Sequence, residues 1–127
     1  GINQRKAQLG IQDAIPLTAS SNEYTGPYAQ LFKFLDMIKR RPAMFIPGLQ
    51  LATLETYLGG FEAGLTMHSL NEGKSFHREF TEFIYQRRGW SGSAGWACAI
   101  RTNFQDDERA WETFFELIDE FKNSSQP

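Results

Sequence analysis

The stretch from Lys39 to Leu70 constrains the fold most. It opens on three consecutive cations, Lys39-Arg40-Arg41, and passes through a proline-bounded turn, Pro42-Ala43-Met44-Phe45-Ile46-Pro47-Gly48. A long apolar-striped segment follows. There Leu51, Leu54, Leu58, Phe61 and Leu65 step by three and four residues, which sets them on one face of a helix. Gly59, Gly60, Ala63 and Gly64 are interspersed among them. Each glycine costs roughly 1 kcal/mol of helix propensity relative to alanine. The expectation is a helix over about residues 50–70 that neighbouring elements pack closely.

The rest of the chain reads around that segment. Residues 1–26 fit neither a helical nor an alternating template, and Ser20-Ser21-Asn22 and Gly26-Pro27 signal turns, so an irregular N-terminal arm is expected. From Pro27 a helix carries Leu31, Leu35 and Ile38 on one stripe with Phe34 beside it. Lys39, Arg40 and Arg41 close it, opposing the negative end of its dipole, and Pro42 stops it. Asn71 or Gly73 can end the central helix in a left-handed conformation, and Ser75 can cap the next. That next helix buries Phe76, Phe80, Phe83 and Ile84 and ends at Arg87-Arg88-Gly89.

A small-residue loop spans Trp90 to Ala94. Trp96-Ala97-Cys98-Ala99-Ile100 suits a short helix capped by Ser93 or a short buried strand; alanines outnumber β-branched residues, which favours the helix. Asp106 or Asp107 then caps a last helix. Trp111, Phe115 and Ile118 lie on one face of it, flanked by Phe114, Leu117 and Phe121, with Glu112, Glu116, Asp119 and Glu120 opposite. The fold class expected is all-α: a compact bundle of about five helices over residues 27–127 forming one domain, with 1–26 as the arm.

Composition bears on function mainly by exclusion. The net charge of −2 gives the whole molecule no attraction for nucleic acid or membranes. No apolar run approaches the ~20 residues that cross a bilayer. The first residues hold no apolar core followed by a small-residue cleavage site, and Cys98 is the sole cysteine, so a reducing cytoplasm is the expected setting. His68 and His77 lie nine apart at no metal-binding spacing, and Cys98 in its apolar run reads as a small buried hydrophobe. No Gly-x-Ser-x-Gly elbow and no phosphate-binding loop occur. No catalytic, cofactor-binding or metal site is expected, which moves the reading toward a binding protein rather than an enzyme.

Charge is distributed unevenly. From Gln105 onward there are seven acids and two bases, a net of −5, so the preceding part carries +3. A solvated helix face accounts for this without any function; the other reading is an acidic docking surface, which steers a basic partner and weakens with salt.

Four stretches together resemble a known group: Leu35-Asp36-Met37-Ile38-Lys39-Arg40-Arg41-Pro42-Ala43-Met44-Phe45-Ile46, Leu58-Gly59-Gly60-Phe61-Glu62-Ala63-Gly64-Leu65, Gly95-Trp96-Ala97, and Phe114-Phe115-Glu116-Leu117-Ile118-Asp119-Glu120-Phe121. In this order they are similar to small bacterial immunity proteins of contact-dependent growth inhibition and related polymorphic toxin systems. The likeness spans about residues 28–122. It implies a cytoplasmic antidote that binds a cognate toxin domain, often a nuclease, and covers its active site. The resemblance brings no site map. The charge pattern itself nominates Asp107, Glu108, Glu112, Glu116 and Glu120 for the contact, with Trp90 as an aromatic anchor. Two other classes stay open. A nucleic-acid-binding or regulatory adaptor would use Lys39, Arg40, Arg41, Arg87 and Arg88. A small enzyme would need His68, His77 or Cys98 to meet a carboxylate inside a cleft.

Overall fold

The computed structural model describes residues 24–125. The expected irregular arm lies outside the described residues as far as residue 23; Tyr24, Thr25 and Gly26 are non-helical. A turn closed by the Ala29 N–H on the Gly26 carbonyl leads into α1 (Ala29–Arg40), which buries Leu31, Phe32, Leu35 and Ile38. Lys39 and Arg40 occupy its last turn. Pro42 then starts a single turn, α2 (Pro42–Phe45), and a 3₁₀ turn follows at Pro47–Leu49. The two turns drop Ile46 into the core, where it is fully buried.

The central helix is α3 (Leu51–Met67), with Leu51, Leu54, Leu58 and Leu65 buried and Phe61 half-buried. It stops earlier than Asn71 or Gly73. Ser69 takes the left-handed conformation (φ 56°), and the Leu70 N–H donates to the Leu65 carbonyl at 2.8 Å. Helix α4 (Phe76–Arg88) begins as expected, with Ser75 Oγ accepting the Arg78 N–H at 3.2 Å. It ends at Gly89 in the left-handed region. Residues 96–101 form a helix, α5 (Trp96–Arg101). The last helix, α6 (Asp107–Ser125), is capped by Asp106, whose Oδ1 accepts the Arg109 N–H at 2.7 Å. No strand occurs among the described residues, which form an all-α bundle of four long helices and two short ones.

The short α5 sits between α3, α4 and α6. It is almost wholly apolar, so it serves as filling: Trp96, Ala97, Ala99 and Ile100 are buried. Aromatic rings carry the centre. The Trp96 ring stacks on Phe114 at 4.9 Å between centroids, and Phe80 meets Trp96, Phe114 and Phe121 edge-on within 5.7 Å. Such pairs add about 0.5–1.5 kcal/mol each beyond the area they bury.

Three expectations are corrected. Cys98 is exposed, because the buried side of α5 is filled by Trp96, Ala97, Ala99 and Ile100. Ser93 does not cap α5; its N-cap is Gly95, and a carboxylate from α3 does the capping. The glycines of α3 are not closely packed: a Cβ at Gly59, Gly60 or Gly64 would meet nothing within 4 Å. They lie on the side of α3 turned away from the core.

Candidate functional site

Two carboxylates on α3 organise its neighbours. Glu55 and Glu62 are seven residues apart, so they project from the same side of the helix. Glu62 accepts the Phe76 N–H, with His77 N–H further off at 3.4 Å, at the start of α4. Glu55 Oε2 accepts the Ala97 N–H at 3.2 Å at the start of α5. Each satisfies backbone donors that a helix start leaves without partners, and each places negative charge at a positive dipole end. Gly95 is demanded here. Its φ is +96°, and a Cβ on it would lie 2.5 Å from Glu55 Oε2.

With those two acids turned inward, α3 has no charge left on its outward side. That side carries Ala52, Thr53, Thr56, Tyr57, Gly59, Gly60, Ala63, Gly64 and Met67. Between it and α1 runs an open groove of about 770 Å³, lined by Phe34, Ala52, Thr53, Thr56, Tyr57, Gly60 and Phe61. Phe34 and Phe61 stack at 4.6 Å to form one wall, and Phe45 meets Phe34 edge-on at 6.3 Å.

The outward side of α6 is the opposite case. Glu108, Glu112 and Glu116 are exposed and form no ion pair with a described residue. With Glu120 they recur every four residues, which aligns them along one helix face over about 18 Å. Arg109 shares that face near its start, and Asp119 joins it near the end.

The other nominated residues are placed differently. Asp107 lies off this row and holds Arg101, whose Nε donates to Asp107 Oδ1 at 2.7 Å. Glu120 receives both arginines of the α4 terminus, Arg88 in a two-pronged contact at 2.9 and 3.3 Å and Arg87 at 3.2 Å. Trp90 is half-buried with its ring edge-on to Phe104 at 6.0 Å.

The basic helix ends differ as well. Arg87 and Arg88 are engaged by Glu120, and Lys39 lies over the Phe115 ring at 5.4 Å. Arg40 and Arg41 are exposed without an ion-pair partner among the described residues. His68 and His77 are both exposed, and His77 Nδ1 comes within 3.9 Å of Glu55 Oε2. Cys98 lines a recess of about 280 Å³ with Glu55, Arg101 and Asp107, but those polar groups are already bonded to Ala97 or to one another. Among the described residues, no three metal-ligating side chains cluster. Near the α1 start, the Tyr28 hydroxyl donates to Glu79; burial first, then that carboxylate, raises the hydroxyl above its ordinary value of 10 and keeps it protonated.

Sequence reasoning missed the inward role of Glu55 and Glu62 and the groove their orientation leaves behind. The signal was present: they are the only charges in the 17 residues of α3, and both border its apolar stripe. Comparison with known protein families, curated proteins and solved structures gives no match for this chain. No helix among the described residues is long and apolar enough to cross a membrane.

Proposed function

We propose that the protein is an immunity protein, a cytoplasmic binding protein without turnover of its own. It neutralises a cognate bacterial toxin domain, a nuclease, by covering its active site. The toxin partner follows from the resemblance set out above. The observation that carries the binding mode is the row Glu108, Glu112 and Glu116, exposed and unpaired among the described residues on a helix whose other side is locked into the aromatic core. Carboxylates at i and i+4 repel, at about 0.2–0.5 kcal/mol per pair. The helix dipole favours Glu108 in the first turn, but folding gives no such reason for Glu112 and Glu116, whereas a phosphate-binding cleft does. Asp107 and Glu120 act beside it through their arginines, and Trp90 supplies an apolar edge.

The test is co-purification and rate measurement with the toxin domain encoded by the neighbouring gene. Tight, protective binding is expected. Glu112→Lys with Glu116→Lys should slow association by about tenfold or more at low salt and much less at high salt. Absence of binding or of protection overturns the proposal, and an unchanged association rate clears the α6 face of the role.

A further inference from the structure

Beside the acidic row of α6 the surface changes sign. Helices α1 and α6 run alongside each other in opposite directions: Asp36 approaches Lys122 at 3.9 Å, and three residues on Lys39 lies over the Phe115 ring at 5.4 Å. Phe115 falls between Glu112 and Glu116 in the chain. Arg40 follows Asp36 by four residues, so it stands on the side of α1 that borders α6, one turn further along. Beyond it the Pro47–Leu49 turn also packs on α6. The connection from α1 to α3 therefore adjoins the row of carboxylates.

What that connection exposes is arginine and methionine. Met37 and Arg40, three apart, are neighbours on the outward side of α1, and Arg41 and Met44 follow. The two methionines are exposed by 45% and 70%. Arg40 and Arg41 are exposed with no ion-pair partner among the described residues, whereas Arg87, Arg88 and Arg101 each hold a carboxylate. The α1 dipole gives a reason for a cation in the last turn. It gives none for two large thioethers in water. The support beneath is firm: the Ile46 N–H donates to the Pro42 carbonyl at 2.7 Å, Ile46 is fully buried, and Phe45 meets Phe34 edge-on. Methionine and arginine are enriched where protein surfaces meet, while lysine and glutamate are depleted there. A thioether moulds itself to an apolar surface, and a guanidinium takes a carboxylate through two parallel hydrogen bonds.

We propose that Met37, Arg40, Arg41 and Met44 form the second half of the surface that meets the toxin domain, and that they receive an apolar patch of it edged with carboxylates. This rests on the toxin-binding reading above and adds that the partner's face is mixed. Its cations lie opposite Glu112 and Glu116, and its acids lie beside them, opposite the arginines. Continuity with the row favours this occupant. A nucleic-acid strand or an anionic lipid surface reaching the arginines would be repelled by Glu112 and Glu116 alongside. A second copy would set one unpaired arginine pair against another.

The experiment measures association and dissociation rates of the full chain with the toxin domain encoded by the neighbouring gene, at low and high salt. A uniformly basic cleft and a mixed face give opposite signs. Arg40→Glu with Arg41→Glu makes the surface more acidic, which would tighten binding to a uniformly basic cleft. Here it should weaken affinity by about tenfold or more. Lys74→Glu with Arg78→Glu makes the same change of charge at the start of α4 and should not weaken it. Met44→Ser should raise the dissociation rate by about tenfold at either salt concentration, with the association rate unchanged. All these side chains are exposed and form no ion pair with a described residue, so circular dichroism should show every variant folded. Unchanged or tighter binding by the Arg40 and Arg41 variant overturns this inference and leaves the toxin-binding reading standing. A dissociation rate indifferent to Met44→Ser does the same. Should the parent chain itself fail to bind the toxin domain, both fall. Self-association, or binding to phosphatidylserine vesicles, that the arginine variant abolishes while toxin binding is untouched overturns the inference in favour of a second copy or a lipid surface.

Discussion

Helices α3 and α6 bury similar apolar stripes and treat their carboxylates in opposite ways. On α3 both acids turn inward to cap α4 and α5, and the outward side is left without charge. On α6 the acids Glu108, Glu112 and Glu116 face solvent, and the outward side is left without apolar groups of size. Acids on the first helix hold the bundle together; on the second, Asp107 and Glu120 bind arginines of α5 and α4, while Glu112 and Glu116 bond to nothing described. The comparison separates what each helix does for the fold from what it offers to others.

The inward sides should behave alike, and they set the scale. Phe114→Ala on α6 removes a ring stacked on Trp96 and edge-on to Phe80; Leu58→Ala on α3 empties a buried site next to the same core. Losses of about 3–5 kcal/mol and about 2–5 kcal/mol are expected in denaturant unfolding. A Leu58→Ala loss under about 1 kcal/mol would mean that α3 is peripheral and the comparison is misdrawn.

The next test is of the acids themselves. Glu62→Ala leaves N–H groups at the α4 start without an acceptor, and a loss of about 1–2 kcal/mol is expected. Gly95→Ala forces a side chain into the left-handed region and against Glu55, at about 1–3 kcal/mol. If removing Glu62 changes stability no more than removing Glu116, the inward acids are not caps and the distinction between the helices fails.

How far these roles were legible in the chain follows from the range of the interactions. The stripes of α1, α3, α4 and α6 are set by residues three and four apart, so their existence and buried faces could be read directly, down to the Ser75 cap. Capping of α5 by Glu55 joins residues 42 apart, and nothing local to Gly95 announces it. Ser93 was the local candidate and lost to a stronger, charged acceptor. Cys98 was misplaced for a related reason: in a six-residue helix the apolar run is too short to show which side faces in. For α6, spacing alone gave the row of four acids, but the diversion of Glu120 to Arg88 depends on how α4 lies against it.

A smaller effect, of opposite sign, distinguishes the outward side of α3. Gly60→Ala should stabilise the protein by up to about 1 kcal/mol, since the helix gains propensity and the new methyl meets no neighbour. Gly59→Ala and Gly64→Ala should do the same, read as raised denaturation midpoints with unchanged m-values. Destabilisation by any of the three would show that the α3 glycines are packed after all, and the groove would no longer be an open one.

The smallest effect is the one expected on the outward side of α6. Glu112→Gln with Glu116→Gln removes two carboxylates that bond to nothing described and lie one turn from one another and from Glu108 and Glu120. Each such neighbour repels its fellow by a few tenths of a kcal/mol in water, and salt screens that repulsion. The double variant should therefore be as stable as the parent or more stable by under about 0.5 kcal/mol, with the gain shrinking as salt is added. A face whose charges can be erased without loss to the fold is available for a partner. A loss of about 1 kcal/mol or more would instead tie these acids into the bundle, as Glu55 and Glu62 are, and would erase the contrast between the two helices.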